Sequence, residues 1–270
     1  VIALNRADHE VRLWAYEKQV VRSVNEAHAN AMYLPDVALP SNVSATGSLK
    51  DAVAGSYVVF LATPSKVLYD TCLKIRKFLE DDAHLAYLTK GFCRVGDGIY
   101  TISEAIEMAL PSHGERLAAV YGPSHAEEVS REFHTCLNVA SKSSETREEV
   151  ASLLRCTFLE CRELEDIRGV ELGGTLKNPA AIAAGMLSVL PACGDNLAGA
   201  LMSEALKEML RIGEALGAKS ETILDIAGLG DLIATSLSDH SRNRRFGKDI
   251  GRQILRTGKS VGFLDRIVLR

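Results

Sequence analysis

The sequence has no apolar run that approaches the roughly 20 residues a membrane-spanning helix needs. It has no stretch with the form of a secretory signal peptide. Aromatic residues make up only 6% of its 270 residues, and the formal net charge is -4. A mildly acidic chain has no overall attraction to nucleic acid or to anionic membranes, so an anion site must be a local cluster of cations. We therefore expect a cytoplasmic protein with neither nucleic acid nor a membrane as partner.

Paired metal-binding and redox motifs are also missing. The seven histidines form no HExxH pattern and none is paired near a cysteine, so we expect no metal site. The cysteines form no CxxC pair, and a well-cored chain of this length does not need disulfides. We expect free thiols in a reducing compartment at all six positions: Cys72, Cys93, Cys136, Cys156, Cys161 and Cys193.

Strand-like and helix-like patterns alternate over the first 165 residues. Short runs rich in β-forming residues occupy 10–15, 57–62, 85–89, 117–121, 136–140 and 157–161. Helical patterns lie between several of them, at 65–79, 101–110 and 145–155. This alternation predicts an α/β domain with a doubly wound parallel sheet and helices on both of its sides.

Strand signals stop near residue 166, and long helical patterns follow. Apolar residues recur at three- and four-residue steps until Gly217 ends the run: Leu201, Ala205, Met209, Ile212 and Leu216. No Pro-rich or Ser-rich linker separates the two regions. We predict an α/β domain over residues 1–165 and an all-α domain over residues 166–270.

Small polar turns follow the predicted strands: Thr63-Pro64-Ser65, Thr89-Lys90-Gly91 and Gly122-Pro123-Ser124. Ligands of open parallel sheets bind beyond the carboxyl ends of the strands, where these turns lie. Ser124 and Glu127 fit a capping box, which predicts a helix start and a modest anion site. Two non-functional interpretations stay open. Ser124 could serve only to cap the helix, and Lys90 could be an ordinary surface lysine.

A mostly apolar helical pattern over residues 169–185 contains Lys177 and Asn178. Gly173 and Gly174 in this segment would permit a close backbone approach. A lysine buried in such surroundings should have a lowered pKa, which suits a general acid or base. The alternative is a lysine that reaches out to solvent, and we favour the functional interpretation.

Two further segments carry charge. Gly228 and Gly230 precede Asp231, which predicts a tight loop that enters a helix with Asp231 near its cap. The run 241–247 places Arg242, Arg244 and Arg245 close together in an acidic chain. Guanidinium groups bind phosphate well, although a basic run is usually a solvated face. Three neighbouring arginines cannot all reach one ligand, so we expect one to do so.

Taken in order, the segments TKG, GPSHAEE, GVELGGTLKN, AGLGDL and SRNRRFG resemble the bacterial-type NAD(P)-dependent glycerol-3-phosphate dehydrogenase family. HEVRLW at 9–14, NAMYLPDVALP at 30–40 and GDN at 194–196 are similar to that family too. The resemblance covers about residues 9–251. It implies a Rossmann-like doubly wound sheet that binds NAD or NADP, followed by an all-α substrate domain.

The resemblance also implies roles for individual residues. Lys177 would be the proton-transfer residue, with Lys90 and Asp231 as the other catalytic residues. The implied substrate-binding residues are Lys90, Gly122, Ser124, Lys177, Asn178, Asp231, Thr235, Ser241, Arg242 and Asn243. The implied cofactor-binding residues are Trp14, Tyr16, Pro64, Lys90, Ala126 and Arg242. An acidic residue just after the strand at 10–15 can favour NAD by accepting from a ribose hydroxyl, so Glu17 is a candidate for this contact. Glu17 can equally begin the next helix, and the cofactor stays NAD or NADP.

The implied reaction reduces dihydroxyacetone phosphate to glycerol 3-phosphate, for phospholipid synthesis, in a cytoplasmic homodimer. Arg242 and Asn243 would hold the phosphate, and Lys177 would give a proton to the carbonyl oxygen as hydride reaches carbon 2. Lys90 would lower the pKa of Lys177 and stabilise developing negative charge. Asp231 would hold Lys177 or a substrate hydroxyl in line.

The sequence departs from the family in several places. The Gly-rich phosphate-binding turn should lie just before Val1, so we expect a missing native start. Residues 255–270 do not resemble the family's continuation, and we expect the helical domain to be incomplete. The segment after GDN lacks an arginine that the family commonly has. Pro179 disfavours helical backbone at Asn178 and should kink its helix.

Three other functions stay open. A related dehydrogenase of the ketopantoate reductase or 3-hydroxyacid dehydrogenase kind would take a carboxylate instead of a phosphate. A non-catalytic binding protein that has lost its nucleotide loop is a second alternative. Nucleic-acid binding through residues 242–256 is disfavoured by the charge balance and the lack of interleaved aromatics.

Overall fold

The computed structural model describes residue 4 and residues 9–191 and 193–257 of the chain. The chain folds into two compact units that divide between Ile167 and Arg168. Strands and helices alternate in the first unit, and the second contains helices throughout its described residues. In the part of the chain that the structure describes, no helix has both the length and the apolar character needed to cross a bilayer.

The first unit contains eleven strands in its described part, many of them short. They are β1 (Val11–Trp14), β2 (Ala29–Asn30), β3 (Leu34–Ala38), β4 (Val43–Thr46), β5 (Val58–Leu61), β6 (His84–Tyr87), β7 (Cys93–Val95), β8 (Gly98–Tyr100), β9 (Leu117–Tyr121), β10 (Thr135–Ala140) and β11 (Leu159–Leu164). The helices are α1 (Lys18–Ala27), α2 (Leu49–Val53), α3 (Ser65–Ile75), α4 (Ile102–Ala109), α5 (Ala126–Val129) and α6 (Ser144–Leu154), with a 3₁₀ segment at Pro111–Arg116. Each predicted strand and helix of this unit is therefore found within a few residues of its predicted place.

The main sheet has the order β11-β10-β9-β6-β5. Its β5–β6, β6–β9 and β10–β11 pairs are parallel, whereas β9 and β10 are antiparallel. The predicted parallel sheet is therefore present, with one antiparallel pair. A parallel crossover needs a connection that contains a full helix, but β9 and β10 are joined by a segment whose only helix is the four-residue α5. The chain therefore turns back, so that β10 runs opposite to β9.

Helix α5 also corrects the predicted capping box. It begins at Ala126 with His125 as its N-cap, and no side chain caps it. The Ser124 hydroxyl instead donates to the Gly122 carbonyl at 3.3 Å. Ser124 stands too far before the helix to cap it, and one turn of helix provides no substantial anion site.

Caps and apolar faces explain the other helices of this unit. Thr101 and Glu104 form a reciprocal capping box at the start of α4. Ser143 caps α6, whose Val150 and Leu154 are buried against the sheet's core cluster with Val139 and Cys161. Burial of these apolar side chains against the strands fixes the carboxyl ends of β5, β6 and β9, which are the ends that matter for the site.

The second unit is helical, as predicted. Its helices are α7 (Ile167–Leu187), α8 (Asp195–Ala215), α9 (Ser220–Ile223), α10 (Asp231–Leu237) and α11 (Arg242–Thr257), with a π-helical turn at Ile226–Gly230. Helix α8 ends just before Gly217, whose φ of 85° lies in the left-handed region that favours glycine. Helix α7 continues through Pro179, so helical backbone persists at Asn178 despite the following proline.

Candidate active site

Three polar side chains form a closed hydrogen-bonded triangle inside the second unit. The Lys177 ammonium lies 2.6 Å from Asp231 Oδ1 and also donates to the Thr235 hydroxyl oxygen. The Thr235 hydroxyl in turn donates to Asp231 Oδ1 at 3.0 Å. Relative exposures are 5%, 3% and 4% for Lys177, Asp231 and Thr235. Lys177 is therefore buried and does not extend to solvent.

Local sequence explains why these groups meet. Asp231 is the first residue of α10, and Thr235 follows it by four positions, which places both on one helix face. The π-helical turn that precedes Asp231 is built on Gly228 and Gly230. Lys177 lies in the middle of α7, which is mostly apolar, and α10 supplies two polar contacts of the kind a buried charge needs.

A buried ion pair is a costly way to stabilise a fold. Removing two charges from water costs several kcal/mol per ion, and their attraction offsets this only when hydrogen bonds complete the pair. The Lys177–Asp231 pair has such a bond from Thr235. A buried amine held by a carboxylate and a hydroxyl can donate or accept a proton at a defined position.

The first turn of α11 lies beside this triangle. The side-chain amide of Asn243 donates to the Asn178 side-chain carbonyl at 2.7 Å, which joins α11 to the residue after Lys177. The Ser241 hydroxyl accepts from the Arg244 backbone N–H at 3.1 Å and so caps α11. The first backbone N–H groups of this 16-residue helix have no carbonyl partner within it, and such a helix end attracts anions.

The three arginines of α11 have different surroundings. Arg244 forms an ion pair with Asp239, which Lys248 also contacts at 2.6 Å. These two cations lower the pKa of the Asp239 carboxyl. Arg242 and Arg245 are exposed, and Arg242 is the first residue of the helix. Arg244 already has a carboxylate partner, which leaves Arg242 the better placed for a ligand at the helix N-terminus.

In the first unit, the turns after β6 and β9 meet. The Lys90 ammonium donates to the Gly122 carbonyl at 3.2 Å and stands 5.5 Å from the centre of the Tyr121 ring. The Tyr121 hydroxyl donates to the Thr89 carbonyl. Gly91 has a φ of 112°, which only glycine adopts readily, so the turn after β6 requires it. Lys90 is therefore held at the strand ends and is half-buried.

The other predicted residues of the first unit lie on its surface or near it. Ser124, Ala126 and Pro64 are exposed, whereas Gly122 is buried. Tyr16 is 83% exposed. The Trp14 indole donates to the Gly47 carbonyl at 3.2 Å. These positions follow β1, β5 and β9, at the carboxyl ends of strands, where a ligand of this fold would bind.

Thr63 follows β5 in one of the predicted strand-end turns, although only its neighbour Pro64 was predicted to contact the cofactor. The Thr63 hydroxyl oxygen is buried and has no hydrogen-bond partner among the described residues. The neighbouring Thr89 hydroxyl donates to the Thr63 carbonyl at 2.6 Å, which holds the end of β5 against the end of β6. A ribose hydroxyl or phosphate oxygen would satisfy the Thr63 hydroxyl, so the strand ends fit a nucleotide.

A mostly parallel sheet with polar strand-end turns, followed by helices around a buried lysine, is typical of two-domain Rossmann-type dehydrogenases. The family model described as NAD-dependent glycerol-3-phosphate dehydrogenase N-terminus matches residues 1–147. The model described as its C-terminus matches residues 166–262. The chain belongs to the NAD-dependent glycerol-3-phosphate dehydrogenase family.

Individual relatives agree. The glycerol-3-phosphate dehydrogenase [NAD(P)+] of Clostridium tetani is 36% identical over 93% of this chain and 70% of its own length. That of Bacillus subtilis is 36% identical over 93% of this chain and 72% of its own length. The crystal structure of glycerol-3-phosphate dehydrogenase from Coxiella burnetii is 30% identical, with a TM-score of 0.84 over 94% of this chain and 79% of that one. The resemblance and fold class expected from the sequence are confirmed.

Proposed function

We propose that this protein reduces dihydroxyacetone phosphate to glycerol 3-phosphate with NADH or NADPH, reversibly. The observation that carries the proposal is the buried Lys177, held by Asp231 and Thr235. A surface lysine could not deliver a proton at a fixed position. The family and the names of the relatives supply the substrate and the cofactor class.

The phosphate end of the substrate would bind at the start of α11. Arg242 is exposed and offers a guanidinium fork, Asn243 carries an amide that also donates to Asn178, and the first backbone N–H groups lie at the same helix end. Ser241 caps the helix through its hydroxyl oxygen and would place its own hydroxyl proton toward the ligand. A phosphate dianion at the start of α11 would therefore be within the same helical turn as a cationic side chain and several N–H donors.

Proton transfer falls to Lys177. When bound, the reduced nicotinamide supplies hydride to carbon 2 of the substrate. The Lys177 ammonium gives a proton to the carbonyl oxygen, which becomes the hydroxyl of glycerol 3-phosphate, and the neutral amine recovers a proton from solvent. Asp231 and Thr235 orient the ammonium and stabilise it while it is charged. In the reverse direction, neutral Lys177 acts as the base.

Cofactor binding is assigned to the strand ends of the first unit. Trp14, Tyr16, Pro64, Lys90 and Ala126 are the proposed contacts, and Arg242 of the second unit is a further one. The unsatisfied Thr63 hydroxyl supports this placement. Glu17 precedes α1 as its N-cap, and its carboxylate accepts from the Tyr33 hydroxyl at 3.0 Å. Glu17 therefore has a structural use, and we assign either NAD or NADP.

The remaining substrate contacts are assigned by resemblance. They are Lys90, Gly122 and Ser124 in the first unit, and Asn178, Asp231 and Thr235 in the second. We also propose a cytoplasmic homodimer that supplies glycerol 3-phosphate for phospholipid synthesis. Sedimentation equilibrium of the full-length protein tests the dimer, since a monomer at micromolar concentration would contradict it.

An assay of purified full-length protein tests the activity. Oxidation of NADH and NADPH is followed by absorbance with dihydroxyacetone phosphate and, separately, with ketopantoate. Turnover of the phosphate and not of the carboxylate is the expected result. Turnover of ketopantoate alone would assign the carboxylate alternative, and turnover of neither would favour a non-catalytic binding protein.

A further inference from the structure

Helix α7 touches another backbone on each side of Lys177. Four residues before Lys177, Gly173 faces the π-helical turn: a Cβ on Gly173 would lie 2.8 Å from the Gly228 Cα. Five residues after Lys177, the Ile182 carbonyl faces Gly247 of α11 so closely that a Cβ on Gly247 would overlap its oxygen. Both contacts join main chain to main chain, so no flexible side chain could move aside.

The contact with α11 extends over two turns with a constant register. Asn178 bonds Asn243, Ile182 contacts Gly247, and Met186 contacts Gly251, which advances both helices by four residues at each step. The two helices therefore run in the same direction. Gly185 fits between these steps, against the backbone of Arg244 and Lys248. Packing at this distance is closer than side chains normally allow, because only glycine lets helix backbones touch.

The register fixes where α11 begins. Because Gly247 abuts Ile182, Asn243 falls one turn earlier beside Asn178, and Arg242 precedes Asn243 as the first residue of the helix. On the other side, the Gly173–Gly228 contact fixes the turn that ends at Asp231. The two contacts thus act on different groups: one sets the start of α11, and the other sets the carboxylate that holds Lys177.

We propose that Gly247 and Gly173 are positioning residues, which set respectively the phosphate-binding end of α11 and the Asp231 carboxylate relative to Lys177. The inference rests on the proposed function for its kinetic consequences, but not for its structural ones. Neither glycine contacts substrate. Each acts through the backbone it touches, so their substitutions should have separable effects.

The test compares Gly247→Ala and Gly173→Ala in the full chain. Gly247→Ala should raise KM for dihydroxyacetone phosphate by about tenfold or more while kcat falls less than about threefold. Gly173→Ala should instead lower kcat by about tenfold or more, and shift the pH profile of kcat, with a smaller change in KM. Gly251→Ala should resemble Gly247→Ala but more weakly, because it is one turn farther from Arg242 and one of its contacts is the Val189 side chain.

Gly199→Ala is the matched control. Gly199 also lies inside a helix, and a Cβ there would have nothing within 4 Å in the described part of the chain. It should leave KM, kcat and the pH profile unchanged. Equal effects of Gly247→Ala and Gly173→Ala on both constants would overturn the proposal, because a merely structural role moves them together.

Crystal structures of the variants test the inference without any assay. In Gly247→Ala, the 2.7 Å separation of Asn243 Nδ2 from Asn178 Oδ1 should lengthen beyond hydrogen-bond range, while Lys177 stays on Asp231. An unchanged Asn–Asn bond overturns the inference even if the protein proves inactive. If the wild type is inactive but the Gly247→Ala structure shows the expected displacement, only the proposed function is refuted. If Gly247→Ala does not fold, Gly251→Ala provides the same measurement.

Discussion

Asp231 is the buried counter-ion of Lys177, 54 positions away in the chain, and each depends on the other to be charged inside the helical unit. Lys177→Ala leaves the carboxylate buried without its cation. We expect the free energy of unfolding to fall by roughly 3–5 kcal/mol, the usual cost of breaking a buried pair from one side. Urea titration monitored by circular dichroism measures it.

Lys207→Ala is the control for that loss, because Lys207 forms an ion pair with Glu204 that is exposed to solvent. It should change the free energy of unfolding by much less. The double variant Lys177→Met with Asp231→Leu should recover part of the stability, since no charge is then left unpaired. Equal destabilisation by Lys177→Ala and Lys207→Ala would contradict a buried pair.

Arg242 should govern substrate affinity and not the chemical step. Arg242→Ala removes a charged donor to phosphate, worth about 1.5–3 kcal/mol, and should raise KM roughly 10–100-fold with little change in kcat. Arg245→Ala is the matched control, because Arg245 is exposed in the same turn of α11. If the two variants have the same KM, the phosphate binds elsewhere.

Much of this site could be predicted from the sequence. The apolar helix around Lys177, the glycines before Asp231 and the arginines of 241–247 all marked functional segments. Thr235 was assigned only by the family resemblance. The sequence could not show that the two segments meet, because a contact across 54 positions depends on tertiary packing.

The features of the structure that differ from the sequence-based predictions have local physical causes. The antiparallel β9–β10 pair depends on a connection that carries only one helical turn, and its length alone did not exclude a crossover. The Ser124 capping box matched a short pattern whose geometry differs in the fold. Pro179 lies in a continuous helix because tertiary contacts along α7 override a local preference.

His84 should make stability depend on pH. Burial, with help from Arg116, lowers its pKa below the ordinary value, so the unfolded chain binds a proton more readily than the folded one. Stability should therefore be complete above about pH 6.5 and decline as the pH falls through the lowered folded pKa. His84→Gln should show a smaller loss of unfolding free energy between pH 7.5 and pH 5, measured by urea titration at both. If the unfolding free energy of the variant has the same pH dependence as that of the wild type, His84 is not the cause of the loss.

The six free cysteines should differ in how fast their thiols react, because some are buried and others are only half-buried. Burial raises the pKa of Cys72 and of Cys161 to about 12, so almost no thiolate forms there at pH 8. Iodoacetamide should label the half-buried Cys136, Cys156 and Cys193 before Cys72 and Cys161, as read by peptide mass spectrometry of the folded protein. Equal labelling rates at Cys72 and Cys193 in native protein would contradict the described core.

The most direct test measures single-turnover reduction of dihydroxyacetone phosphate by Lys177→Ala, with NADH affinity measured separately by fluorescence on the same folded preparation. Loss of a general acid costs roughly 10²–10⁴ in rate. We predict a fall in turnover of that order with an NADH dissociation constant close to that of the wild type. Wild-type turnover by the folded variant would remove Lys177 from proton transfer and the proposed mechanism with it.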